Sequence, residues 1–280
     1  MKIQMRRIAR HAGNIWGWGM LILLLSPMIA AFCISFTPTS FLTFPTIEWS
    51  WRWYRLFWTS PQWRSALGNS LLVSLATAIV SVIAGTGLAV LLHGSRFPGR
   101  RLLNRLALSP LFVPAVVLGL AELYTIKYYG LWGTRLSLVA ANSLLGLPIV
   151  VLMVGAALET IDPDLVSAAR GLGAGPASAF ARVTLPLIAP VIALAGLLAF
   201  IVSFQELILA IFLCTPQTET LPRVIWPSLR YALTPVVAAA SGVSLAATLA
   251  LMAGCWGLFR IAAARMRGLN VNFPAGRRST

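Results

Sequence analysis

The stretch from Leu165 to Pro190, LVSAARGLGAGPASAFARVTLPLIAP, separates two long apolar runs and decides how the chain is organised. It is rich in small residues, and its glycines and prolines interrupt any continuous helix. Hydrocarbon offers no hydrogen-bond partners to loose backbone groups, so such a stretch must lie outside the core of a bilayer. If the flanking runs span a membrane, the chain therefore returns to the membrane surface here.

Within this stretch the sequence predicts a short, capped helix rather than a slack loop. Asp162 is suited to cap a helix that begins at Pro163, and Gly173 is suited to end it. A second short turn is expected from Pro176, before the next apolar run opens at Leu185. The first helix carries one apolar stripe at the spacing i, i+3, i+4, i+7, formed by Leu165, Ala168, Ala169 and Leu172. A face this narrow cannot form a core, which favours a docking element over the alternative of an ordinary amphipathic connector.

Composition places the chain in a membrane. Of its 280 residues, 58% are hydrophobic and only 10% are charged, which no soluble surface can accommodate. The net charge of +15 would suggest nucleic acid as a partner of a soluble domain. Here the basic residues lie between apolar runs and at the two ends of the chain, so membrane topology and anionic lipid explain them better. The three cysteines have no paired spacing and are interpreted as packing residues.

The apolar runs predict an all-α membrane protein with six transmembrane helices. Residues 1–14 form a basic N-terminus, and residues 15–65 a first helix, interpreted as a retained anchor, with a Trp-rich interfacial segment. Residues 66–260 form a core of five helices that includes the loop 159–186, and residues 261–280 a basic tail. Pro110 and Pro114 predict a kink or break in the third span, and Gly85 and Gly87 predict close helix packing in the second. The predicted spans are 15–36, 66–92, 106–126, 136–158, 187–213 and 236–259.

The distribution of basic residues predicts the orientation. With six spans, 15 of the 22 Lys and Arg residues lie on the side of the two termini and of loop 159–186, and seven lie on the other side. The positive-inside rule then places both termini and this loop in the cytoplasm. The Trp-rich segment is expected on the outer face, where its aromatic side chains anchor an interfacial helix or dock a soluble partner.

Three motifs together resemble the permease subunits of ATP-binding cassette (ABC) importers. Ala168-Ala169, Gly173 and Leu185-Pro186 match the spacing of the family's EAA loop, although Ser167 stands where the family has Glu. The run 108–114, LSPLFVP, and the run 203–207, SFQEL, are similar to the polyamine-type branch of the family. The resemblance implies the six-helix type I importer fold, with the EAA-like loop forming a cytoplasmic coupling helix that sits in a cleft of a separate ATPase.

The resemblance also implies partners and site residues. The partners are two ATPase subunits that bind ATP and Mg, a second homologous permease, and a periplasmic or lipid-anchored solute-binding protein. The implied solute is a small amine such as a polyamine or an aminophosphonate. The implied residues of ATPase coupling are Leu165, Ser167, Ala168, Ala169, Arg170, Leu172, Gly173, Ala174, Phe180 and Pro186.

No catalytic or phosphate-binding motif occurs in the sequence, so the chain is expected not to be an enzyme and to bind no cofactor or metal itself. Its informative polar residues lie in the predicted spans. Glu206, beside Ser203 and Gln205, is expected to line the translocation path or, alternatively, to pair with Lys127, Arg223 or Arg230. Glu122 belongs to the same candidate path, although a structural pair with Lys127 is favoured there. A proton-coupled secondary transporter that uses either glutamate is the alternative class, and an intramembrane enzyme is a weaker third.

Overall fold

The computed structural model describes residues 2–40, 48–94, 97–231 and 234–268. α-Helices dominate these residues, and the first expectation, an all-α architecture, is confirmed. In chain order the helices are α1 (Lys2–Ile34), α2 (Arg52–Thr59), α3 (Pro61–Gly94), α4 (Arg100–Leu108), α5 (Ala115–Tyr128), α6 (Arg135–Glu159), α7 (Pro163–Gly171), α8 (Pro176–Ala179), α9 (Leu185–Phe204), α10 (Ile208–Leu213), α11 (Leu221–Tyr231) and α12 (Pro235–Gly268).

Five helical segments in the described residues are long and apolar enough to cross a membrane: Trp16–Ile34, Pro61–Gly94, Arg135–Glu159, Pro176–Phe204 and Pro235–Gly257. The third predicted span, 106–126, is present as a bent pair, in which Arg100–Phe112 meets Ala115–Tyr128 at 110°. The expected break is therefore confirmed, and the pair supplies a sixth candidate span when it is taken as one broken helix. Pro114 lacks an N–H, and Val113 before it is extended, so the helical hydrogen bonds stop there.

The fifth span also differs from the prediction of a helix over 187–213. Its apolar helix begins earlier, at Pro176, and passes through a π-helical turn at Phe180–Thr184. Pro186 has no N–H to donate to the preceding turn, which is consistent with the wider hydrogen-bond pattern there. The helix then ends at Phe204, and a separate short helix, α10, follows after three residues.

The chain divides into two compact units, residues 1–65 with 224–246 and residues 66–223 with 247–280. In the first unit, the interfacial helix predicted beside the first span is α2. Trp53 Nε1 donates to the carbonyl of Thr37 at 2.8 Å, and the hydroxyls of Tyr54 and Ser35 lie 2.9 Å apart. Gly242 in α12 faces the Tyr54 hydroxyl at close range. Aromatic contacts and hydrogen bonds therefore fix α2 within this unit.

The second unit is organised around α6, which packs along α9 and also contacts α5 and α10. Small residues also permit a close approach of α3 to α6: an added Cβ at Gly85 of α3 would lie 2.7 Å from Val150, and one at Gly146 of α6 would lie 2.5 Å from Ser81 Oγ. The close approach predicted at Gly85 is thus confirmed. At Gly87 it is wrong, because no atom lies within 4 Å of an added Cβ there.

Candidate functional site: the coupling helix and the broken fifth span

The helix predicted in the organising stretch is present, with both of its expected ends. Asp162 Oδ1 accepts a hydrogen bond from the N–H of Asp164 at 3.0 Å, and Pro163 occupies the first turn. At the other end Gly173 is left-handed (φ 88°) and donates to the carbonyl of Arg170, while Ala174 donates to that of Ala169. These two bonds form a Schellman motif. Local hydrogen bonds at both ends thus define where α7 begins and ends, without any contribution from an apolar core.

The apolar stripe of α7 lies at the surface of the chain. Leu172 is 90% exposed and Leu165 is 49% exposed, Ala168 is exposed, and Ala169 is half-buried. We call these four residues the coupling surface. An exposed leucine pair on a helix fixed by caps at both ends is unusual for a connector, because nothing in the unit itself shields it from water.

The position where the family motif has Glu carries a hydroxyl with a local role. Ser167 Oγ donates to the carbonyl of Pro163 at 2.9 Å, one turn back on the same helix. Arg170, three residues later, is exposed. The exposed charges of α7 are therefore Asp164 in its first turn and Arg170 in its last, and Ser167 adds no further acidic group.

The short helix after α7 runs directly into the fifth span. The second turn, α8, was expected to be separate, but it continues through the π-helical turn into α9 as one apolar helical segment. Phe180 is half-buried, Pro186 lies exposed in the first turn of α9, and Thr184 is buried. Helix α7 packs against both α8 and the π-helical turn, which leads directly into α9.

The second candidate group lies at the break after α9. The sequence placed Glu206 within a continuous fifth span, but in the structure it lies between α9 and α10. Its Oε1 accepts the backbone N–H groups of Ile208 at 2.7 Å and Leu209 at 3.0 Å, and so caps the N-terminus of α10. Lys127 and Arg223, both within the described residues, make no ion pair with it. Gln205 is exposed, and Ser203 is buried and accepts a hydrogen bond from Asn142 Nδ2 at 2.9 Å.

Glu122 on α5 is buried, and neither of its carboxyl oxygens has a hydrogen-bond partner among the described residues. The expected pair with Lys127 is wrong: the Lys127 ammonium lies over the ring of Trp132, 5.1 Å from its centre. Glu122 lies on α5, which packs against α10, the helix that Glu206 caps. The two acidic residues of the candidate path are thus carried by two helices in contact, with Ser203 on the adjoining end of α9.

Sequence reasoning missed a buried polar seam near this break. The hydroxyls of Ser74, Thr77 and Ser81 on α3, and Oδ1 of Asn142 on α6, are buried and lack partners among the described residues. Their spacing of three to four residues along α3 was the available signal, because it places all three hydroxyls on one helical face. In the part of the chain that the structure describes, no cluster of His, Cys, Asp and Glu could hold a metal.

Comparison with solved structures defines the fold. The chain matches a crystal structure of a bacterial ABC transporter involved in the import of the acidic polysaccharide alginate (TM-score 0.73, 18% identity, 92% of this chain and 97% of that one). It also matches the MetNI methionine ABC transporter (TM-score 0.60, 16% identity, 69% and 93%). At these identities the likeness establishes the fold, which is that of a type I ABC importer permease.

The sequence comparisons identify the family. Residues 81–267 match the model described as "Binding-protein-dependent transport system inner membrane component", and the chain belongs to this family. The chain is 30% identical to the putrescine transport system permease protein PotI of Escherichia coli K12, over 82% of this chain and 86% of PotI. Among other permeases of the same bacterium, it is 31% identical to the sulfate transport system permease protein CysT, over 77% of this chain and 83% of CysT. It is 25% identical to the spermidine/putrescine transport system permease protein PotC, over 72% of this chain and 76% of PotC.

The family membership confirms the resemblance stated from the motifs and favours the importer over a self-sufficient secondary transporter. The chain is a multi-pass permease subunit of an ABC importer of the inner membrane, and it is not itself an enzyme. Such permeases work with a separate ATPase and a solute-binding protein.

Proposed function

We propose that two ATPase subunits drive this permease by gripping the coupling surface of α7, and that the solute it moves inward is a small cation such as a polyamine. The single observation that carries the first part is the exposure of Leu165 and Leu172 on a helix capped at both ends. An apolar stripe of this size buries well in a cleft of a partner protein, and its rigid caps lower the entropic cost of docking.

The connections between α7, the π-helical turn and α9 define how movement of the ATPase would reach the fifth span. Closure of the two ATPase subunits on ATP moves α7 toward its counterpart on a second, homologous permease. The π-helical turn and α9 follow as one body, because no flexible residues intervene. The breaks at 113–114 and 205–207 supply places where the bundle changes shape between inward-open and outward-open states. A periplasmic or lipid-anchored binding protein delivers the solute on the other face, with both termini of this chain in the cytoplasm.

The charge of the solute is argued from Glu122 and Glu206 rather than from the relatives. PotI is named for putrescine, a cation, and CysT for sulfate, an anion, at nearly equal identity to this chain. The two carboxylates lie on α5 and at the start of α10, which pack together; Glu122 is buried without a hydrogen bond, and Glu206 is half-buried. Two acidic residues beside a break in the bundle favour a cationic solute over an anionic one. Ser203 and Gln205 would contribute neutral hydrogen-bonding groups to the same path.

Replacing Leu172 with Asp tests the coupling surface. We expect at least about tenfold weaker binding of the ATPase, because an unpaired carboxylate cannot be buried in an apolar cleft without a large cost. Ala177→Asp is the control: it adds the same charge to an exposed position of the same loop, off the stripe. Copurification of the ATPase from the native membrane, together with solute-stimulated ATP hydrolysis, gives the measurement. If Leu172→Asp retains the ATPase as well as Ala177→Asp does, α7 is not the docking element.

Replacing Glu206 with Gln tests the cationic solute separately from the fold. Gln keeps an oxygen that accepts the two N–H groups of α10, so the cap is retained while the charge is removed. We expect the half-saturation constant for putrescine uptake into vesicles that hold the complete transporter to rise about tenfold, with the amount of inserted protein unchanged. Sulfate is the comparison solute. Unchanged putrescine uptake, or uptake of sulfate instead, would refute a path selective for cations.

A further inference from the structure

A cavity of about 560 Å³ lies beside the ends of two spans. It opens where α3 ends at Gly94, α6 ends at Glu159 and α4 begins at Arg100. Its walls combine polar and apolar residues, namely Ala89, Leu92, His93, Arg100, Arg101, Asn104, Leu108, Val151, Leu152, Gly155, Ala156 and Glu159.

The polar wall of this cavity carries an excess of positive charge. Arg100 and Arg101 contribute two permanent cations, and His93 and Asn104 add hydrogen-bond donors. Glu159 is the acidic residue of the wall, and neither arginine makes an ion pair with it or with another described carboxylate. The guanidinium groups thus keep their full donor capacity for a ligand. One negative group with several acceptor oxygens would neutralise the excess charge.

The apolar wall of the cavity indicates a ligand that enters from the bilayer. It is built from α3 and α6, which are both spans, and Leu152 on α6 is half exposed. Helix α4 leaves the direction of α5 at an angle of 110°, and none of its residues is buried. A charged rim at the end of two spans, above an apolar wall open to the bilayer, fits a molecule with an anionic head and hydrocarbon chains.

We propose that this cavity is a binding site for an anionic membrane phospholipid, with the phosphodiester held by Arg100 and Arg101. The acyl chains would lie along Leu152 and the neighbouring apolar residues of α3 and α6, and a headgroup hydroxyl would donate to Glu159. Basic pockets between spans at a membrane surface bind anionic headgroups in this way. Free phosphate shares the headgroup chemistry but makes no use of the apolar wall, so the lipid is the better fit.

Titration of the delipidated full-length chain, purified with the subunits it carries, tests this site. The probe is dioleoyl phosphatidylglycerol, and native mass spectrometry counts the bound lipids. We expect Arg101→Gln to weaken binding about fivefold and the double change of Arg100 and Arg101 about 25-fold, at the usual contribution of an arginine near an anionic lipid. Arg105→Gln is the matched control, because it removes the same charge from the same helix outside the cavity wall.

Three results would overturn the proposal. Equal weakening by Arg101→Gln and Arg105→Gln would show a diffuse surface attraction rather than a site. Competition by inorganic phosphate as effective as that by phosphatidylglycerol would assign the cavity to a soluble anion. Loss of a copurifying subunit from Arg101→Gln, with lipid binding intact, would assign the arginines to a protein interface. Thermal unfolding of each variant in the same detergent shows whether the fold is retained.

Discussion

Replacing Gly85 with alanine tests the packing that holds α3 against α6. An added Cβ at this position would lie 2.7 Å from Cβ of Val150, 2.8 Å from its Cγ1 and 3.2 Å from the carbonyl oxygen of Leu147. Ordinary contact begins at 3.4 Å, so the two helices would have to separate by about 0.7 Å. Val150 cannot move aside, because it is fully buried in a cluster with Val154 and Ala199.

The expected magnitude follows from two opposing contributions. Overpacking a buried site costs about 1–3 kcal/mol. Alanine is favoured over glycine in a helix by about 1 kcal/mol, which partly offsets that cost. Gly87→Ala supplies the matched control, since it lies two residues away on α3 with no atom within 4 Å of an added Cβ. The propensity gain is common to both variants, so Gly85→Ala should be less stable than Gly87→Ala by about 1–3 kcal/mol.

Unfolding by increasing fractions of SDS in mixed micelles, followed by circular dichroism, measures both variants. A double change, Gly85→Ala with Val150→Gly, removes both side-chain atoms that the new methyl would meet and should recover part of the loss. The two single changes should then be coupled by about 1–2 kcal/mol, as expected for residues in contact. Equal stability of Gly85→Ala and Gly87→Ala, or strict additivity in the double variant, would refute the contact.

Three further changes test other parts of the unit. Glu206→Ala leaves two N–H groups of α10 without an acceptor and should cost about 1–2 kcal/mol, whereas Glu206→Gln should cost little; SDS unfolding compares them. Asn69→Ala removes two bonds to the backbone after α10 and one from Arg135, and should lower the free energy of unfolding by about 2–3 kcal/mol. Gly173→Ala forces a residue with a side chain into a left-handed conformation and should destabilise α7 by about 1 kcal/mol, measured as faster amide hydrogen exchange in α7. Gly171→Ala has free space for its side chain and should slow amide exchange in the same helix.

The ends of α7 could be predicted from the sequence because they depend on local chemistry. Asp162 and Pro163 begin a helix through their own side chains, and Gly173 ends it through its own backbone. No distant contact is needed for any of these effects. The exposed stripe followed from the same helix, because α7 is too short and too weakly apolar to bury Leu165 and Leu172 by itself.

The boundaries of the spans were harder to predict, because hydropathy measures the length of an apolar run but not the continuity of its helix. Residues 187–213 are almost uniformly apolar, yet the helix stops at Phe204 and restarts at Ile208. Pro110 and Pro114 gave warning of the break in the third span, through their missing N–H groups. At Gln205 and Glu206 no proline or glycine signals a break.

Partners of ionisable groups were the least predictable feature. Lys127 lies about one helical turn from Glu122 in sequence, which favoured a pair between them. In the structure, the Lys127 ammonium instead makes a cation–π contact with the ring of Trp132, on the loop that follows α5. A cation at the end of a span gains more from an aromatic ring at the interface than from a carboxylate drawn into the bundle, since the pair would have to be desolvated.

The break after α9 gives Glu206 a structural role as a helix cap beside the role in solute transport that we propose for it. Backbone N–H groups at the start of α10 need an acceptor wherever water is scarce, and a carboxylate one or two residues upstream supplies it. The same cap holds the carboxylate at the start of α10, the helix that packs against α5, which carries Glu122. Replacing Gln205 and Glu206 together with Leu removes both the cap and the charge and favours a continuous helix through 205–207, so it should disturb the proposed solute path more than the loss of the charge alone does. Comparing putrescine uptake by Glu206→Gln with uptake by a variant bearing Leu at 205 and 206 would separate the two effects, and equal uptake by both would assign the role to charge alone.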